Sequence, residues 1–322
     1  MINAIPLRWQ LTNPMKKSFL VVALLITAFA SWSQRVDLKL NLEVGKTYVQ
    51  ATNSYSTIEQ TISGQKMTIK MGLKGTVEYV VKVANAERYE MDVTYKSLTM
   101  SMQMPQGSME FSSEKEGEQD ILSKILSAMK GKPFQVTMLR NGKVIGAKNI
   151  ETIFDAAIEK LPQLSETQMK QIKEQILKAY GADAFKGNIE MVTAIFPDKS
   201  VALSDSWTVN TKLSAGMAAN MSTVYQLAAM TSDYMLIKGD SKITTENKDA
   251  YMESNGMKMR YDMTGTMISE IKIDPKTGWI LEAKIDQVLQ GNAHIKENDQ
   301  LPNGMTIPML MNNDMLITNR SN

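Results

Sequence analysis

The stretch that decides the fold is Gln65–Met104, QKMTIKMGLKGTVEYVVKVANAERYEMDVTYKSLTMSMQM. Apolar and polar residues alternate through much of it, the period-2 signature of a half-buried strand. Asn85-Ala86-Glu87 divides it into two runs, Gln65–Val83 and Arg88–Met104. Each is far longer than the common strand of about five or six residues. Strands of that length curve or bulge, so the pair predicts part of a barrel or half-barrel, with Gly72 and Gly75 as bend points.

Working outward, Ser63-Gly64 is a hairpin signal between Thr57–Ile62 and the first long run. Gly45-Lys46 turns the chain into a strand at Thr47–Ser56. Val36, Leu38, Leu40 and Leu42 alternate with polar residues and predict a further strand. Downstream, Ile121, Leu122, Ile125, Leu126 and Met129 form one apolar face of a short helix over Glu118–Lys130, stopped by Gly131. Phe134–Arg140, Asn141-Gly142 and Lys143–Ala147 read as a two-residue hairpin with a type I′ turn.

A helical segment follows. Ile150, Ile153, Phe154, Ala157, Ile158 and Leu161 mark one helix, ended by Pro162. Ser165-x-x-Gln168 is a capping box for the next, which carries Met169, Ile172, Ile176 and Tyr180 and stops at Gly181. Asp183 can cap a third, with Phe185, Ile189, Val192 and Phe196 inward, ending at Pro197. The β pattern then resumes: Ser206–Leu213, Ser222–Met230, Asp233–Thr245, Ala250–Ser254, Lys258–Ile273, Trp279–Leu289 and Asn292–Lys296. Asn255-Gly256 and Asp274–Gly278 are turns. Residues 298–304 form a loop, and a Met-rich strand or helix fills 305–318. Segregated runs of strand, helix and strand predict an α+β fold. Its main part is a curved antiparallel β-sheet or half-barrel with a central helical segment. The divisions fall at 1–33, 34–149 (a β half with helix 118–130), 150–196 (helical) and 197–322 (a second β half).

Phe196-Pro197 with Asp205-Ser206-Trp207, Asp274-Pro275-x-Thr277-Gly278-Trp279 and Gly142-Lys143-Val144 resemble the turn motifs of an uncharacterised family of exported bacterial proteins. That family is a domain of unknown function frequent in Bacteroidetes-type bacteria. The resemblance covers most of 36–291 and implies no assigned activity. Each motif also reads as a turn: Asp274 caps, Pro275 presets φ, and Gly278 takes a left-handed position before Trp279 packs.

The N-terminus predicts an address. Lys16-Lys17 precedes an uncharged, largely apolar run, Ser18–Ala30, which closes in Ser31-Trp32-Ser33. That is the order of a cleaved signal peptide, with Met15 as the start and Gln34 as the first mature residue. Residues 1–14 then form an upstream extension. The expectation is an exported, soluble protein of the periplasm or extracellular space, with no membrane span after processing. Residues 1–33 hold Arg8, Lys16 and Lys17 and no acid, so the whole-chain charge of +2 becomes −1 beyond them. No basic run offers a nucleic-acid surface.

The chemistry-bearing residue types are sparse. There is no Cys, and His294 is the sole histidine. A strand would place His294 and Glu297 on opposite faces, so a triad or a zinc site lacks members. The residues predict no catalytic centre, cofactor or metal, although carboxylate pairing in space is not legible in a sequence. Methionine is in excess, 26 of 322 residues. Met100, Met102 and Met104 share one strand face, as do Met257, Met259, Met263 and Met267, and Met309 with Met311. Core packing is the simplest reading, because Met fills irregular gaps. An adaptable apolar groove is the second. A Cu(I) thioether site is the third, but alternate residues of one strand stand about 6.6–6.8 Å apart and hold one ion awkwardly.

These features predict a non-catalytic binding protein for an apolar small molecule or lipid. The same architecture resembles periplasmic carriers of lipids or lipoproteins, in which a half-barrel and helical lid enclose an apolar cavity. The cavity candidates are Met100, Met102, Met104, Met259 and Met263, with Leu122 and Leu126 from the lid. The alternatives are a structural or interaction module that binds another envelope protein, and a carboxylate enzyme.

Overall fold

The computed structural model describes residues 35–319 except 116–119, 160, 162–164, 214–216, 255–256 and 300. The Met15–Gln34 segment, the Glu118 helix start, the Pro162 stop and the Asn255-Gly256 turn lie outside the described residues.

The strands are β1 (Thr47–Ile62), β2 (Gln65–Ala84), β3 (Arg88–Met104), β4 (Gly107–Ser112), β5 (Pro133–Leu139), β6 (Val144–Lys148), β7 (Ser206–Leu213), β8 (Ala219–Met230), β9 (Met235–Thr245), β10 (Met252–Ser254), β11 (Met257–Ile273), β12 (Ile280–Ile295) and β13 (Met305–Thr318). The helices are α1 (Ile121–Met129), α2 (Ile150–Ile158), α3 (Glu166–Tyr180) and α4 (Ala182–Thr193). All the described strands join one open antiparallel sheet, ordered β6-β5-β3-β2-β1-β13-β12-β11-β9-β8-β7, with β4 beside β3 and β10 beside β11. Two meanders, β1–β6 and β7–β13, therefore meet where Ala51–Gln60 pairs with Met309–Thr318. The fold is α+β, and the sheet is curved but not closed into a barrel.

The long strands bend where the ladder slips. Val77 pairs with Tyr95 but Thr76 pairs with Ser97, leaving Lys96 as an extra residue on β3. The bulge resets parity, so Tyr89, Met91, Val93 and Tyr95 share the inner face with Leu98, Met100, Met102 and Met104. Helix α4 packs against both edge strands, β6 and β7. The Glu190 carboxylate accepts the Val144 N–H of β6 at 2.7 Å, and Trp207 Nε1 of β7 donates to the Ile195 carbonyl just past α4 at 2.8 Å. One edge backbone group, the Val144 N–H, is thereby satisfied by the helix, and the Trp207 indole ties the other edge strand to the chain just past it.

Several expectations change. Val36–Leu42 is not a ladder strand: apart from a Val36–Val201 bridge, it is an extended segment. Its Leu40 and Asn41 amides bond to the Arg140 and Thr277 carbonyls. Its leucines are nonetheless buried, as their alternation implies. Thr47–Ile62 is one strand, β4 is an addition, and 305–318 is a strand. The type I′ turn is at Ser63-Gly64, where φ is +50° and +80°. At the Asn141 turn only Gly142 has positive φ, +83°. There the Gly142 amide bonds to Leu139 and the Leu139 amide to Lys143, a turn followed by a glycine bulge. A Cβ on Gly142 would stand 1.7 Å from the Thr193 carbonyl oxygen, so this bulge needs glycine. Ser165–Gln168 forms the expected capping box, whereas α4 starts at Gly181 with no side-chain cap and Asp183 in its first turn.

Candidate functional site

The inner face of the sheet has two zones. Near the helices it is filled by one large apolar cluster that includes Tyr79, Tyr89, Met91, Phe134, Phe154, Ile189 and Ile271. Beyond the helices the same face continues along the far halves of β1–β3 and β11–β13. There the register lays side chains in rows. One row runs Met109–Met102–Met71–Ser56–Asn313 across β4, β3, β2, β1 and β13. The next runs Ile69–Ile58–Met311–Leu289–Gly265, and another Met67–Gln60–Met309–Gly291–Met263. Most of these methionines are half-buried, and Met71 and Met109 are 39% and 43% exposed. On the β11–β13 side this face is largely packed on itself, with Met263 and Leu289 buried and Ala293, Ile295 and Ile307 forming a second small apolar cluster. Met67, Met71, Met102 and Met109, by contrast, stay half-buried or exposed and form an adaptable apolar surface.

Met100, Met102 and Met104 stand on this inner face in β3, and Met259 and Met263 stand on it in β11. The two sets share the face but lie on opposite arms, with β2, β1, β13 and β12 between them. Met263 is buried and Met259 half-buried. Leu126 is buried in the main cluster and Leu122 packs at its margin, so α1 wedges into the core beside β4. Helix α3 crosses nearer the opening. Its Tyr180 hydroxyl bonds to the Met100 sulfur of β3, and its Lys178 ammonium bonds to the Glu253 carbonyl of β10. One helix end thus reaches both arms of the sheet.

Where the two zones meet, a half-enclosed cavity of about 180 Å³ lies between α4, Tyr180 and the inner faces of β1, β2, β3 and β13. None of the seven candidates lines it. Its walls are mainly apolar, including Leu73, Leu98, Phe185, Ile189 and Ile317, with polar groups from Gln50, Thr52, Tyr79, Tyr95, Tyr180 and Asn188. Gln50 is 4% exposed. Its Oε1 accepts the Tyr79 hydroxyl at 3.0 Å, and its Nε2 has no hydrogen-bond partner among the described residues. Burial pushes the Tyr79, Tyr95 and Tyr180 phenols above their ordinary values, so all three stay neutral hydroxyls. These residues gave a faint signal in the sequence, since Gln50, Thr52, Ser54 and Ser56 are a polar run at one parity of a strand. A second cleft of about 510 Å³ lies by Met217, Thr245, Glu246, Met252 and Tyr261.

Several other polar groups are engaged structurally, while Asn53 Oδ1 and Ser269 Oγ, like Gln50 Nε2, are buried without a partner among the described residues. Ser54 and Ser56 both donate to Asn313 Oδ1, at 2.7 and 2.8 Å. His294 Nδ1 lies 3.0 Å from Thr306 Oγ1. Among the described residues no group of three or more His, Asp or Glu is placed to hold a metal, and no helix is long and apolar enough to cross a membrane.

A family model matches residues 86–280, from the β2–β3 turn to the start of β12; its description is "Family of unknown function (DUF6263)". No curated protein matches the sequence. Among solved structures, one on lipid–protein interactions in lipovitellin is similar at 9% identity and a TM-score of 0.49, over 87% of this chain and 26% of that one. The chain therefore spans about a quarter of that protein's length. An outer membrane channel from Pseudomonas putida F1 is similar at 9% identity and a TM-score of 0.28, over 87% of this chain and 97% of that one.

Proposed function

The chain belongs to the DUF6263 family of unknown function, and from that premise we propose a non-catalytic binding protein for an apolar or amphipathic, lipid-like ligand, exported to the cell envelope. The observation that carries this reading is the methionine-rich inner face beyond the helices, partly exposed at Met67, Met71, Met102 and Met109 and continuous with the cavity beneath α4. Flexible thioethers suit ligands of variable shape, because each side chain repacks at small cost. The basic, apolar and small-residue succession of Met15–Gln34 supports export. The buried Glu190 carboxylate is spent on the Val144 amide, which supports a non-catalytic role.

The test is native mass spectrometry of protein taken from its own envelope without detergent. The mass also reads whether residues 15–33 have been removed. Co-purified acyl chains are expected, together with binding of N-phenyl-1-naphthylamine in solution. Changing Met71 and Met102 together to Glu should weaken the probe by about tenfold or more, since each charge would have to be desolvated against an apolar ligand. Both positions are partly exposed, so the fold should tolerate the change. A protein that is empty and ignores the probe would leave the second reading, an envelope interaction module. The modest volume of the α4 cavity favours that reading, because ligand pockets commonly span about 300–1,000 Å³.

A further inference from the structure

We propose that the cavity beneath α4 receives an uncharged carbonyl, of an ester or amide, whose oxygen accepts a hydrogen bond from Gln50 Nε2 while the attached alkyl chain runs out along the methionine rows. The proposal rests on the apolar-ligand reading above and names the ligand's polar end.

Three observations converge. First, Gln50 is held with its Oε1 against the Tyr79 hydroxyl, and its Nε2 is buried without a partner among the described residues. A buried donor left unpaired is costly, so a site that keeps one is built for an acceptor from outside the chain. Second, the cavity wall has no Lys, Arg, His, Asp or Glu. An ionised carboxylate placed there would lose its hydration with no cation to replace it, whereas a neutral carbonyl needs one donor. Third, the volume matches a fragment and not a whole lipid: a cavity of about 150 Å³ accepts one benzene-sized group. Leu73 and Met315 line the cavity, and the same faces of β2 and β13 carry Met71, Met67, Met311 and Met309 outward. The Ser54–Ser56–Asn313 cluster interrupts the β1 and β13 side, so the chain of an acyl ester leaves the cavity over β2, past Leu73, Met71, Ile69 and Met67.

The probes are pyrene-decanoic acid and its methyl ester, titrated into the full-length protein at about pH 8 and read by pyrene fluorescence. The ester should bind about tenfold or more tighter than the ionised acid, by the cost of burying an unpaired carboxylate. In Gln50→Leu the ester should weaken by about three- to tenfold, the value of one neutral hydrogen bond. Gln50→Met, which keeps the unbranched shape, guards against a folding defect and should behave the same way. An acid that binds as well as the ester overturns the proposal. So does an ester indifferent to both Gln50 variants, which would mean that water satisfies the amide. If neither probe binds the unaltered protein, the apolar-ligand reading fails and this one falls with it.

Discussion

The Tyr89 hydroxyl fastens three separate stretches of chain. It donates to the Leu40 carbonyl at 2.9 Å, and it accepts the Leu42 amide at 3.0 Å and Arg140 Nη1 at 2.8 Å. The ring is fully buried, and the Arg140 guanidinium lies 4.9 Å from its centroid. This one oxygen explains why Val36–Leu42 looks like a strand in sequence and is none: its polar groups are met by side chains and loops, not by a ladder. Tyr89→Phe would leave the Leu42 amide without a partner and the Leu40 carbonyl with only Arg140 Nη1, at 3.4 Å, at a cost of about 1–3 kcal/mol. Chemical denaturation should show that loss with an unchanged denaturant slope; an unaltered midpoint would mean that water replaces the hydroxyl. The sequence could not display this contact, because its partners lie 47 to 51 residues away. Local chemistry was readable by contrast. Asp274 Oδ1 accepts from the Lys276 and Thr277 amides, Gly278 takes φ +67°, and Trp279 is buried, as the turn motif implies.

At the scale of elements, α4 packs against both edges of the sheet. The sheet ends in β6 and β7; the helix holds β6 through Glu190, and the chain just past it holds β7 through the Ile195 carbonyl. Burial pushes the Glu190 carboxyl above its ordinary value, against the opposing pull of the Val144 amide and of Lys186 and Lys143. An acid raised in the folded state contributes fully at low pH, where it is protonated folded or unfolded. Its contribution is lost as pH climbs through the folded value. Glu190→Gln keeps the acceptor for Val144 and removes the charge. The variant should therefore melt above the wild type at neutral pH, and the gap should close as pH falls below the ordinary carboxylate value of 4.5. Thermal melts from about pH 4 to about pH 8 decide this; a variant that melts lower at neutral pH would show that the charge stabilises. The helix itself was legible from Phe185, Ile189 and Val192, which are buried. Its role was not, because hydrophobic period identifies a face and says nothing of the two edges that face will meet. The short β4 was missed for a related reason: only six residues long, it pairs with β3 alone.

For the whole molecule, alternation told which residues share a face, and the ladder bears that out from Met100 to Met104 and from Met259 to Met263. Two things stayed hidden. The bulge at Lys96 decides which parity of β3 faces inward, and the pairing of β1 with β13 brings residues about 260 positions apart into one floor. Gln50 and Met315 line the same cavity only because of that pairing. The resulting sheet is unevenly supported. Residues 47–54 of β1 lie over the helices and the main cluster, while residues 57–62 and their partners in β2 extend past them. Local opening follows local burial, so the far halves should open more readily than the near halves. Hydrogen exchange should find amides of residues 57–70 exchanging about tenfold or more faster than those of 47–54. An acyl ester bound along the methionine rows should slow the far halves selectively and leave the near halves unchanged. If the far halves are already as protected as the near ones in the free protein, their inner face is covered by something else. The interaction-module reading would then outrank the carrier.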